Sequence, residues 1–160
     1  MHIIYIWVLK FLLENSIISR KKKYSVDFLL KKALQFQKEH KYEEAKRIYL
    51  EIIDLQEYIE LFDYSIALNN LVVIYYEEKE FAQAKGYYEE LRDVREKLFS
   101  LDYELYGIDY IYTKVMGVEW FKRSKDELKG AKKLLAFYKG IYNTTFLEQK
   151  ISSLEYTQMR

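Results

Sequence analysis

Ala45 and Tyr49 return 39 residues later as Ala84 and Tyr88, and self-similarity at a fixed period of this length means stacked repeats. That repetition limits the chain more than any other feature. Around the second copy, Leu68, Leu71, Val72 and Tyr75 fall on one helical stripe, and Ala84, Tyr88 and Leu91 fall on another. Between the stripes lies EEKE, residues 77–80. A buried segment could not leave four charges unpaired, so the spacing predicts a helix, a turn and a second helix. A small residue at Ala84 lets two backbones approach closely.

The same unit is read from Ser25, taken as an N-cap with Asp27 in the first turn. Leu29, Ala33 and Phe36 form its first stripe, KEHK breaks it, and Tyr42, Ala45, Tyr49 and Ile52 form its second. The second helix is expected to run through Asp54 to Tyr58, with Asp63 capping the next. A third unit follows Ser100 and Asp102. Thr113, Met116, Gly117 and Trp120 make its first stripe and Leu128, Ala131 and Leu135 its second, with a capping box at Ser124 and Glu127. Thr145 with Glu148 reads as another capping box, opening a last helix with Phe146, Leu147, Ile151 and Leu154 on one face. The expected organisation is one domain of 160 residues. It comprises helix hairpins over 25–58, 63–99 and 102–142, a C-terminal capping helix over 144–158, and an N-terminal capping or contact helix over 1–23.

Composition agrees with an all-α chain. Pro is absent and Gly occurs only five times, so few breakers or strand turns are available. Half the residues are hydrophobic and 32% are charged, a folded rather than a disordered balance. There is no Cys, which removes disulfides and thiolate chemistry. A net charge of +1 gives no bulk attraction to nucleic acid.

The N-terminal run from Ile3 to Ile18 is 16 residues long. As a helix it would reach roughly 24 Å, short of the roughly 30 Å hydrocarbon core of a bilayer. A cleaved signal peptide would carry its basic residues first, whereas here Arg20 to Lys23 follow the apolar run. The segment reads as a cap on the end of the stack in a cytoplasmic protein. Contact with a membrane surface or a second copy through Ile4, Trp7 and Phe11 is the alternative.

No catalytic constellation stands out. His2 and His40 are the only histidines, one terminal and one in a predicted turn, which leaves neither a metal site nor a histidine triad to assemble. Adjacent carboxylates such as Glu43/Glu44 and Glu89/Glu90 point about 100° apart on a helix and read as solvated faces. Tyr42, Tyr49, Tyr75 and Tyr88 are expected in the core, whereas Tyr76, Tyr87, Tyr110 and Tyr112 lie off the stripes. No cofactor and no metal are expected.

The spacing of Leu71, Val72, Tyr75, Ala84 and Tyr88 resembles the tetratricopeptide repeat, a helix-turn-helix that stacks into a right-handed superhelix of hairpins, an α-solenoid. The resemblance implies a non-enzymatic module that binds a protein or an extended peptide in a concave groove lined by the first helix of each unit. It places Asn69 and Asn70 where an Asn grips a peptide backbone, its amide both donating and accepting. Val73, Tyr76 and Glu77 would face the groove from the same helix, with Lys31, Leu34 and Lys38 from the first unit and Lys114 and Val118 from the third. The subgroup that clamps a C-terminal carboxylate has a Lys and an Asn where this chain has Leu30 and Leu34, so that role is not expected. Repeats near 40 residues with an inner Asn also resemble the pheromone-peptide receptor domains of bacterial regulators. Those carry a DNA reader that this chain lacks.

Overall fold

The computed structural model describes residues 25–158. The N-terminal segment with Ile4, Trp7 and Phe11 lies outside the described residues, as do His2 and the Arg20–Lys23 cluster. All regular structure among the described residues is helical: α1 (25–38), α2 (Tyr42–Asp54), a 3₁₀ turn (Gln56–Tyr58), α3 (Leu61–Glu77), α4 (Phe81–Leu101), α5 (Tyr103–Phe121), α6 (Lys125–Tyr138) and α7 (Thr145–Gln158). The described residues divide into two compact units, one ending at Lys79 and the other beginning at Glu80, in the turn between α3 and α4.

The 39-residue offset seen in the sequence recurs in the backbone. His40 and Lys79, after α1 and α3, are both left-handed, with φ of 58° and 65°. Lys122, after α5, takes the same conformation at φ 52°. At His40 the turn is a Schellman closure, with the His40 N–H bonded to the Gln37 carbonyl and the Lys41 N–H to the Phe36 carbonyl. A left-handed residue with a Cβ costs about 1–2 kcal/mol, and glycine avoids that cost while adding disorder to the unfolded chain. Replacing Lys79 with glycine is therefore expected to stabilise the chain by up to about 1 kcal/mol in urea denaturation. A loss of stability would mean that the lysine side chain is needed at the turn.

In the first unit α2 packs on α3. Val26, Ala33, Ala45, Ile48, Tyr49 and Ile52 are buried with Leu68, Leu71, Val72 and Ile74. The Tyr49 hydroxyl donates to Gln37 Oε1 at 3.0 Å, tying α2 to α1, and burial pushes that phenol up to about 12. Two of the expected core tyrosines sit nearer the surface. Tyr42 donates to Glu77, and Tyr75 lies under Lys46, whose Nζ is 5.1 Å from the ring centroid.

Helix boundaries differ from the sequence reading where no breaker residue marks them. α2 ends at Asp54 because Leu55 turns to φ −91°, ψ 9° and the Tyr58 N–H closes a 3₁₀ turn on the Leu55 carbonyl. α3 starts at Leu61 without a side-chain cap, so Asp63 sits in the first turn rather than capping. Ser25 is already helical.

The second unit is built around α5, which packs against α4, α6 and α7. Its core joins Ile111, Val115 and Val118 of α5 to Leu128, Ala131, Leu135 and Tyr138 of α6 and to Leu147 and Ile151 of α7. Val118, expected to face a groove, is thus a core residue, because neighbours on three sides leave α5 little free surface. Phe146, expected on the buried stripe, is 61% exposed. It stands about 100° around α7 from buried Leu147.

α5 also carries two glycines, each lying beneath a tyrosine from a neighbour. A Cβ on Gly117 would strike the Tyr88 ring from α4, and one on Gly107 would strike the Tyr138 ring from α6. Each hydroxyl then donates to the carbonyl four residues before its glycine, Tyr88 to Thr113 at 3.3 Å and Tyr138 to Tyr103 at 2.5 Å.

Asp102 caps α5 by accepting from the Leu105 N–H, and Ser124 caps α6 by accepting from the Asp126 N–H. Glu127 does not complete the capping box. Arg123 Nε donates to its Oε1 at 2.7 Å instead. At α7 the carboxylate of Glu148 pairs with Thr144, not Thr145, accepting its hydroxyl at 2.8 Å.

Candidate functional site

α3 is apolar on nearly every side, so it is enclosed over most of its circumference. Tyr64, Ser65, Ala67, Leu68, Leu71, Val72 and Ile74 are buried. Among its partly open residues, Phe62, Ile66, Asn69, Val73 and Tyr76 follow one another at steps of four and three and form a stripe, with Asn70 beside it.

The two asparagines behave differently. Asn70 Nδ2 donates to the Ile66 carbonyl of its own helix at 2.9 Å, so that amide is partly occupied by local structure. Asn69 Oδ1 is enclosed and has no hydrogen-bond partner. An amide oxygen accepts up to two hydrogen bonds, and one left enclosed without a donor costs free energy.

Glu77, the exposed end of the predicted set, accepts the Tyr42 hydroxyl. One residue on, Glu78 accepts from Lys46 at 2.8 Å, and Glu43 reaches the same ammonium at 2.6 Å. Burial works against the charge of Lys46, but its bonds to Glu43 and Glu78 prevail and hold it above the usual lysine range. The C-terminal end of α3 is therefore pinned to α2 by a lysine that the sequence pattern gave no reason to single out. Lys31 and Lys38 are exposed on α1, and Leu34 between them is 41% exposed. Lys114 belongs to the second unit, where its Nζ lies 4.7 Å from the Tyr110 ring centroid.

The second unit holds a groove of about 280 Å³ between α6 and α7, lined by Lys132, Leu135, Ala136, Lys139, Glu148, Ile151 and Ser152. Its lysines are spoken for, Lys132 by Glu155 at 2.8 Å and Lys139 by Glu148 at 3.5 Å. Arg123, in the turn before α6, bridges Glu89 on α4 and Glu127 on α6, and Arg92 joins Glu89 within α4 at 2.8 Å.

Among the described residues no cluster of three or more His, Asp or Glu could hold a metal ion, and no described helix is long and apolar enough to cross a membrane. No protein-family model matches the chain, and no curated protein or solved structure matches it.

Proposed function

We propose that this chain is a non-enzymatic helical-repeat module, a tetratricopeptide-like stack that binds an extended segment of a protein or peptide along α3. The observation that carries this reading is the enclosed, unpartnered Oδ1 of Asn69, set in a half-open apolar stripe between Ile66, Val73 and Tyr76. Once the Asn69 side chain turns toward the open stripe, a peptide N–H is the donor its oxygen lacks, and the flanking side chains offer apolar contact to the residues beside it. The left-handed turns at His40 and Lys79, spaced like the sequence repeat, support the repeat reading. That Lys46, Arg95 and Arg123 are held in ion pairs between helical elements supports structural rather than catalytic duties for the most perturbed charges.

The test separates the two asparagines. A partner segment is recovered by pull-down with the intact chain and its affinity measured by calorimetry against wild type, Asn69→Ala and Asn70→Ala. Asn69→Ala is expected to weaken binding about tenfold, the loss of one hydrogen bond in an enclosed site. The same substitution should leave the thermal midpoint unchanged or raise it, since it removes an unsatisfied acceptor from the free protein. Asn70→Ala should affect binding less. Normal affinity in Asn69→Ala would refute the assignment.

A further inference from the structure

Six large apolar side chains stand exposed at one end of the second unit, where α4 turns into α5 and α6 finishes. They are Leu101, Tyr103, Leu105, Phe137, Ile141 and Tyr142, between 43% and 71% exposed. The end is held together from beneath. The Tyr103 and Phe137 rings lie 5.9 Å apart, Tyr138 donates to the Tyr103 carbonyl, and the Tyr142 hydroxyl donates to the Glu104 carbonyl at 3.2 Å. A patch fixed in this way loses little freedom when something covers it. With large side chains offering roughly 150–250 Å² each, it presents on the order of 500 Å², the upper range for a monomer's surface. Together with its polar rim it approaches the roughly 800 Å² per partner of a specific interface.

The charges around the patch identify what fits. Asp102 and Glu104 are exposed among these residues at the start of α5, and Lys97 and Lys133 are exposed one turn before Leu101 and Phe137. A bilayer surface would have to accept two carboxylates at the point of insertion, against the negative potential of anionic lipid. A two-fold pairing can set the acidic start of α5 in each copy against the lysines on α4 and α6 of the other, and such an interface must be complementary to itself. We propose that this end of the second unit binds the same end of a second copy of the chain. The proposal is independent of the peptide-binding reading of α3.

Sedimentation of the full chain over a concentration series up to about 100 μM tests it. Dimers are expected, and Leu101→Asp and Ile141→Asp should each raise the dissociation constant tenfold or more. Because both positions are exposed, circular dichroism melts of these variants should match wild type at concentrations well below its dissociation constant. Glu104→Lys and Lys133→Glu chains should each self-associate poorly, yet pair when mixed in equal amounts. A wild-type chain that stays monomeric throughout would overturn the proposal. So would a dimer indifferent to both aspartate substitutions, or a monomer that binds phosphatidylserine vesicles through Leu101 and Ile141.

Discussion

Replacing Asp109 with alanine is expected to cost about 3 kcal/mol of stability, whereas replacing Arg95, its partner, with methionine should cost less than about 1 kcal/mol or stabilise. The asymmetry follows from where the two charges sit. Arg95 on α4 is 4% exposed, and its Nη1 lies 2.8 Å from Asp109 Oδ1 on α5. That is close enough for an ion pair, but neither Nη1 nor Nε meets an aligned hydrogen-bond acceptor. Burial lowers the pKa of this guanidinium, with the nearby Asp109 charge working against it. Removing Asp109 strands a buried cation. Removing Arg95 leaves a carboxylate that water already reaches, its side chain being 39% exposed, and methionine keeps the apolar stem. Urea midpoints of the two variants measure the difference. If Asp109→Ala is the milder change, the pair does not stabilise Arg95 as argued.

Tyr88→Ala should be more damaging still, at about 3–5 kcal/mol, because it empties a fully buried site above a glycine that has no side chain to fill it. Tyr88→Phe isolates the hydroxyl and should cost about 1 kcal/mol. The packing itself is tested by the sign of a second substitution. In the wild-type chain Gly117→Ala should destabilise, since its methyl meets the Tyr88 ring. In the Tyr88→Ala background the ring is gone, only the flexible Arg123 side chain at 3.0 Å has to give way, and the same change should stabilise by up to about 0.5–1 kcal/mol through helix propensity. Equal effects in both backgrounds would show that the ring and the glycine are not coupled.

Much of the helical core was legible from spacing because burial follows the 3.6-residue period. Tyr49, Tyr88, Ala45, Ala84 and Ala131 are all fully buried, as their stripes predict. Caps were legible where a residue can do little else, as at Asp102 and Ser124. The α2–α3 connection was not, because it turns through Leu55 and Ile59 without a glycine or proline. Arg95 lies in RDVREK, where its spacing singles out no partner, and its buried place beside Asp109 depends on the packing of α5. Asn69 and Asn70 are neighbours in sequence but about 100° apart on the helix. Their order in the candidate site therefore depended on which amide found a carbonyl of its own, something spacing alone does not reveal.

α5 has a consequence for the order in which the second unit comes apart. It touches α4, α6 and α7, whereas among the described elements of that unit α4 makes its main packing with α5 alone. Undocking α5 breaks its packing with three helices at once, so hydrogen exchange there is expected to report the opening of the whole unit. The exchange of α4 and α7 reports smaller excursions of lower free energy. The main contacts in this unit also join helices adjacent in the chain, apart from those of α5 with α7. Closing them requires only short loops, which places refolding of the unit at the fast end of the range, in microseconds to milliseconds.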